Sequence, residues 1–128
     1  MIYVKVTVKG EPDVAPFTRV FQYSDKTDEL ILHHSVEAVK ERLGRQLKIN
    51  LNEALLIYCH YVAISMRAKK RAGTIEKDAK DILQAEQVMI GVPETLRTIA
   101  LDAIVDERRV QVTLNQPVSA TGYNMTAK

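Results

Sequence analysis

The stretch from Ala54 to Met66 limits the fold of this chain most strongly, because it is apolar on almost every side. At helical spacing its apolar residues fall on opposing faces, as shown by Leu55, Ile57, Val62 and Ile64. The stretch contains His60 and is shorter than the roughly 20 residues that a helix needs to cross a bilayer. It therefore predicts a central helix that other elements cover on most sides.

A change of period at Asp25 predicts another helix before it. Apolar residues then recur at helical spacing, at Leu32, Val36, Val39 and Leu43. Asp25 and Asp28 supply an N-cap and an acidic first turn, and Gly44 follows the last apolar position as a C-terminal stop. We expect this first helix to run from about residue 25 to residue 43.

Capping signals also mark the later helices. Asn50 followed by Glu53 predicts a capping box at the start of the central helix. Thr74 can cap a short third helix, whose apolar positions are Ile75, Ala79, Ile82 and Leu83. A further helical turn is predicted near residues 86–89, ending at Gly91.

Strand periodicity is confined to the two ends of the chain. The N-terminal strand alternates at Ile2, Val4, Val6 and Val8, and the pattern resumes at residues 17–23 after a turn-rich link. A second hairpin follows, with alternating residues 99–105 and 110–114 around a charged turn at residues 106–108. The fold class predicted is α+β: a small helical bundle of about four helices with a C-terminal β-hairpin and an additional N-terminal β-hairpin at residues 1–24.

Length and composition limit the classes of protein to which this chain can belong. A chain of 128 residues with 46% hydrophobic residues suits a single domain over residues 1–128, whose last residues, 117–128, we expect to form an extended tail. The net charge of +2 does not favour binding to nucleic acid or to an anionic membrane. The single cysteine excludes an internal disulfide, and the N-terminus does not resemble a signal peptide, so we expect a cytoplasmic location.

Few residues of this chain suggest a metal-binding or catalytic site. His33 and His34 are adjacent on one helix and cannot chelate an ion together, and Cys59 and His60 lack a partner one turn away. We therefore predict no metal site and no catalytic site in this chain. His60 is expected to be a hydrogen-bonded core or interface histidine, and Cys59 a small buried apolar residue.

One dense basic cluster, Arg67, Lys69, Lys70 and Arg71, lies before Gly73. It could contact nucleic-acid phosphates, but acidic residues follow it and no aromatic residues are interleaved. A solvated helix end is the simpler interpretation, because cations near a helix C-terminus also favour the helix dipole. Nucleic-acid binding stays an alternative.

Three blocks of the chain resemble the urease gamma subunit family. Residues 48–54 resemble its Lys-Leu-Asn-Tyr-x-Glu-Ala, residues 88–94 its Val-Met-x-Gly-Val-Pro-Glu signature, and residues 112–118 its Val-Thr-Val-His-x-Pro-Ile. The resemblance extends without a gap from about residue 28 to residue 118. The chain departs from the family at the charged turn 106–108, where the family has Pro-Asp-Gly-Thr, and at the first 24 residues, which have no family counterpart.

The resemblance implies a non-catalytic structural subunit of a nickel-dependent, urea-hydrolysing assembly. Its partners would be urease-like beta and alpha subunits, with nickel held in a partner subunit. The competing hypothesis is a scaffold or binding protein that kept this fold, lost the urease partners and self-assembles through the N-terminal hairpin. A two-stranded ribbon alone is marginal in water, so this hairpin should join the C-terminal hairpin or a neighbouring chain, and we expect a homo-oligomer.

Overall fold

The computed structural model describes residues 1–12 and 15–118, and within them it confirms the α+β class. Its elements in chain order are β1 (Ile2–Lys9), β2 (Phe17–Tyr23), α1 (Lys26–Gly44), α2 (Leu51–Arg67), α3 (Ala72–Asp78), α4 (Val92–Thr95), β3 (Thr98–Val105) and β4 (Arg108–Asn115). Short 3-10 turns lie at Ala79–Asp81 and Ala85–Gln87. No helix among the described residues is long and apolar enough to cross a membrane.

The two hairpins form one antiparallel sheet with the strand order β2-β1-β3-β4. Val4 in β1, for example, lies opposite Phe21 in β2 and opposite Ala103 in β3. The N-terminal hairpin therefore joins the C-terminal hairpin within the chain. Strand β1 lies inside the sheet and has a partner on each side.

The core lies between the inner face of this sheet and the helices. The alternating residues of β1 and β3 that point inward are buried, namely Ile2, Val4, Val6, Val8, Ile99, Leu101, Ala103 and Val105. Helix α2 packs against α1 and β3 and buries most of its length, as its all-round apolarity predicts. Ile64 is the exception: its side chain is 46% exposed, so its expected place in the core was wrong.

The predicted starts of α1 and α2 are confirmed. The Asp25 side chain accepts the Asp28 N–H, and Asn50 and Glu53 form the complete capping box. The predicted end of α1 is confirmed to within one residue, since Gly44 is the last residue of the helix, but Gly44 is not the residue that turns the chain. The chain turns instead at Gln46, whose φ is 60°, where two N–H donors bond to the last carbonyls in a Schellman motif.

Two expectations for the short helices were also wrong. Thr74 and Gly73 lie inside α3, whose N-cap is Arg71 without a side-chain hydrogen bond. The extended residue before α3 is Arg71, so the helix has already begun when the chain reaches Thr74. The turn predicted near residues 86–89 is the 3-10 turn at residues 85–87, and Gly91 precedes α4 rather than ending a helix.

The C-terminal hairpin is tighter than predicted. Asp106 and Glu107 alone form its turn, with φ values of 50° and 70°, as in a type I′ loop, and Arg108 begins β4. Pro117 and Val118, placed in the extended tail by sequence, are both buried, and Val118 belongs to the core. The rest of the predicted tail, residues 119–128, lies outside the described residues.

Candidate functional site

Helices α1 and α2 bring two of the three histidines into contact. His33 Nδ1 lies 2.9 Å from His60 Nε2, and the two rings meet edge to face with centroids 4.9 Å apart. His34, the neighbour of His33, is exposed and takes no part in this pair. The sequence predicted a partnered His60 but could not identify the partner, because the two residues are 27 positions apart on different helices.

The His33–His60 contact needs an unprotonated ring nitrogen as its acceptor. Burial lowers the pKa of His60 to about 4, and the nearby His33 and Lys40 add to this effect while Glu37 opposes it. Near neutral pH His60 is therefore uncharged. One ring donates its N–H to the unprotonated nitrogen of the other, which fixes the two helices against each other.

These residues do not fit a nickel ion. No group of three or more His, Cys, Asp or Glu side chains among residues 1–12 and 15–118 could hold a metal. A metal site with an open position needs at least three protein ligands, and His33 and His60 supply two that are already bonded to each other. Cys59 is buried, and burial raises the pKa of its thiol, so it is a poor ligand.

Arg67, the first residue of the predicted basic cluster, is held by carboxylates. Its Nη1 lies 2.6 Å from Glu29 Oε1 in α1, and its Nε lies 3.0 Å from Asp106 Oδ2 in the hairpin turn. Hydrogen bonds from Arg67 lower the pKa values of both carboxyl groups. Arg67 therefore connects α1, α2 and the C-terminal hairpin, and its guanidinium is already satisfied.

The other three residues of the basic cluster, Lys69, Lys70 and Arg71, are exposed in the turn between α2 and α3. Lys69 has a φ of 62°, and the N–H groups of Lys69 and Lys70 bond to the Met66 and Ser65 carbonyls. The turn is thus a second Schellman motif, with lysine where glycine is usual. It presents three cations to solvent on one short loop.

The signature segment, residues 88–94, forms a fixed turn beside the start of α2. Val88 is buried and pairs with Ile49 in a parallel bridge. Both the N–H and the carbonyl of Ile49 form hydrogen bonds in this bridge. Gly91 has a φ of 94°, a conformation that side-chain-bearing residues rarely adopt. Glycine is therefore needed there so that the chain can turn into α4.

This turn exposes two apolar side chains, which we call the signature patch: Met89, 45% exposed, and Ile90, fully exposed. A shallow cleft of about 330 Å³ lies beside them and is also lined by Asn50 and Leu51. Single exposed apolar residues are common on protein surfaces. A fully exposed isoleucine on a rigid turn beside a cleft is the arrangement that a protein contact would use.

The comparisons with known proteins find relatives over most of this chain. The family model described as "Urease, gamma subunit" matches residues 22–118, which include the signature patch and both helices of the histidine pair. The chain is 36% identical over 91 residues to a urease subunit gamma of Halalkalibacterium halodurans, covering 71% of this chain and 91% of that relative. It is 28% identical to a urease subunit gamma of Saccharopolyspora erythraea, covering 72% and 92%. It is 29% identical to a urease subunit alpha of Helicobacter pylori, covering 74% of this chain but only 40% of that one.

Proposed function

This chain belongs to the urease gamma subunit family, and we propose that it is a non-catalytic structural subunit of a nickel-dependent, urea-hydrolysing assembly. In this proposal its partners are the urease beta and alpha subunits. Nickel is held by a partner, since the donor groups described here do not form a site for it. The assembly would be cytoplasmic.

The signature patch is the observation that supports this proposal most directly. Met89 and Ile90 stand in solvent on a turn that Gly91 and the Ile49 bridge hold in place. A turn whose backbone is already fixed loses little further backbone freedom when a partner covers it. The family's most recognisable motif thus has two roles here, a structural one at Val88 and Gly91 and a contact role at Met89 and Ile90.

Co-purification tests the proposal. The tagged chain is co-expressed with the urease beta and alpha subunits of the same genome, and we expect it to retain both through size-exclusion chromatography. Ile90→Glu should weaken that retention, because it puts a charge into a contact that excludes water. Failure of the unmodified chain to retain either subunit would refute the proposal.

Ile31→Glu is the matched control, since Ile31 is also an exposed isoleucine, 58% exposed on α1. It introduces the same charge away from the signature patch. If both variants lose the partners equally, the patch has no special part in the contact.

A self-assembling scaffold is the second candidate. It is favoured by the N-terminal hairpin, most of which lies outside the family match and which leaves β2 at the edge of the sheet with a single strand partner among the described residues. Nucleic acid would then be the ligand of the basic cluster, carried by Lys69, Lys70 and Arg71, since Arg67 is ion-paired. Salt-dependent DNA binding that Lys69→Glu plus Lys70→Glu abolishes would support this candidate, and absence of DNA binding by the unmodified chain would remove the nucleic-acid role.

A further inference from the structure

The two outer strands of the sheet, β2 and β4, differ in whether another element of the chain covers their free edge. The edge of β4 lies beside α3, and the Glu76 carboxylate accepts the outward N–H of Thr113 at 2.7 Å. Strand β2 has a single strand partner, β1, among the described residues. Its central residue, Val20, is 54% exposed, and among the described residues no turn or loop donates or accepts a backbone hydrogen bond at this edge.

The register of the sheet shows which backbone groups of β2 face that open edge. Asp106 donates its N–H to the Met1 carbonyl directly opposite, so the odd-numbered residues of β1 bond to β3 and the even-numbered residues bond to β2. The residues of β2 that bond to β1 are therefore the odd-numbered ones, which lie opposite the even-numbered residues of β1. Thr18, Val20 and Gln22 point their N–H and C=O groups outward.

The sequence of β2 gives this edge little protection. Edge strands usually carry proline, lysine or inward-pointing charges that discourage pairing with another chain. Residues 17–23 read Phe-Thr-Arg-Val-Phe-Gln-Tyr and contain a single charge, Arg19. Arg19 pairs with Val6 and so lies on the core-side face, where its guanidinium stacks 4.7 Å over the Phe17 ring; it is the one inward-pointing charge of this strand.

We propose that a second copy of this chain pairs with β2, antiparallel and centred on Val20, to form a two-fold symmetric dimer with a continuous eight-stranded sheet. In this register Thr18 meets Gln22 of the second copy, and Val20 meets its own copy. All are outward-facing residues, so each pair exchanges two backbone hydrogen bonds.

The side chains are complementary in the same register. Phe17 lies opposite Tyr23 of the second copy, an aromatic cross-strand pair, and Arg19 lies opposite Phe21, a cation-π pair. Shifting the strands by two residues in one direction would instead oppose Arg19 to its own copy, which costs free energy. The centred register has the longest overlap and places no like charges directly opposite each other.

Most of this dimer surface, residues 17–21, lies outside the part of the chain that the family model matches. The Halalkalibacterium halodurans relative matches over 91 residues, which are 91% of its length, so about nine of its residues lie outside the match. That is too few for both strands of a hairpin such as Ile2–Tyr23. A self-assembling chain would use this dimer surface, and the dimer does not require the urease partnership.

Sedimentation equilibrium of the full chain alone tests the inference. The unmodified chain should show a concentration-dependent dimer, and Val20→Lys should raise the dissociation constant by at least about tenfold, because two lysines meet at the two-fold axis. Val20 is exposed, so the variant should keep its circular dichroism spectrum. A monomer at all concentrations, or a dimer that Val20→Lys does not weaken, would overturn the proposal.

Two further samples make the test specific. Gln111→Lys is the control, since Gln111 lies at the far end of the cross-strand row that runs through Val20, Lys5 and Asp102, and it should leave the dimer intact. Mixing Val20→Lys with Val20→Glu should restore pairing as a heterodimer, because only the centred register puts the two substituted positions opposite each other. A mixture that stays monomeric would contradict that register. No urease subunit is present, so the outcome is separate from that of the co-purification.

Discussion

Gly10 lies so close to Thr95 that a β-carbon at residue 10 would stand 2.7 Å from the Thr95 carbonyl oxygen. The next residue, Glu11, donates its N–H to the Glu94 carbonyl at 3.2 Å and forms an ion pair with Arg97. The N-terminal hairpin, although most of it lies outside the family match, is thus packed against the end of the signature segment. It is part of the fold and not a separable appendage.

Gly10→Ala should therefore destabilise the protein by about 1–3 kcal/mol, because the backbone of α4 would have to move to admit the methyl group. Gly73→Ala is the control: a β-carbon there meets no atom within 4 Å, and alanine inside α3 should be neutral or stabilising by up to about 1 kcal/mol. Chemical denaturation followed by circular dichroism measures both changes. Equal stability of the two variants would mean that the hairpin does not dock as described.

The free energy of unfolding should decrease in mild acid because of the His33–His60 pair. The pKa of His60 lies at about 4 in the folded protein and near 6.5 when the chain is unfolded, so between these pH values the unfolded chain binds more protons. The free energy of unfolding is then unaffected above about pH 6.5 and decreases, by up to about 3 kcal/mol, as the pH falls towards 4.

Guanidinium chloride unfolding at several pH values measures this loss. His60→Gln should flatten the decrease, whereas His34→Gln, at an exposed neighbour outside the pair, should retain it. An unchanged decrease in His60→Gln would assign the acid sensitivity to other groups.

Lys69→Gly should stabilise the protein by about 1 kcal/mol. Lys69 ends α2 with a φ of 62°, which costs a residue with a β-carbon about 1–2 kcal/mol and costs glycine almost nothing. Lys70→Gly removes the same charge at the next position, which lacks a positive φ, and should give no such gain. Thermal melts of the two variants compare them directly, and an equal response would refute the backbone explanation.

Tyr58 should tolerate the loss of its hydroxyl group. The side chain is fully buried, and its Oη has no hydrogen-bond partner among the described residues, while burial raises its pKa. Tyr58→Phe is therefore expected to be neutral or stabilising by about 1 kcal/mol, since an unpaired buried hydroxyl costs free energy. Leu55→Ala, equally buried on the same helix, should destabilise by about 2–5 kcal/mol. A large loss in Tyr58→Phe would indicate a hydrogen-bond partner for the hydroxyl.

The sequence predicted the features that depend on neighbouring residues. The capping box at Asn50 and the alternation in β1 are local patterns, and both predictions are confirmed. Turns with a left-handed residue at Gln46 or Lys69 escaped prediction, because neither is the glycine that usually marks them. The His33–His60 contact and the insertion of β1 beside β3 join residues far apart in the chain, which periodicity does not encode.

Urea hydrolysis tests the central claim most directly. The chain alone, the beta and alpha subunits alone, and all three together are supplied with nickel and assayed for ammonia release. We predict no activity from the lone chain, hydrolysis by the complete set, and a clear loss when this chain is omitted. Chelator-sensitive turnover of urea by the pure chain, or full activity of the beta and alpha subunits without it, would contradict its role as a non-catalytic structural subunit.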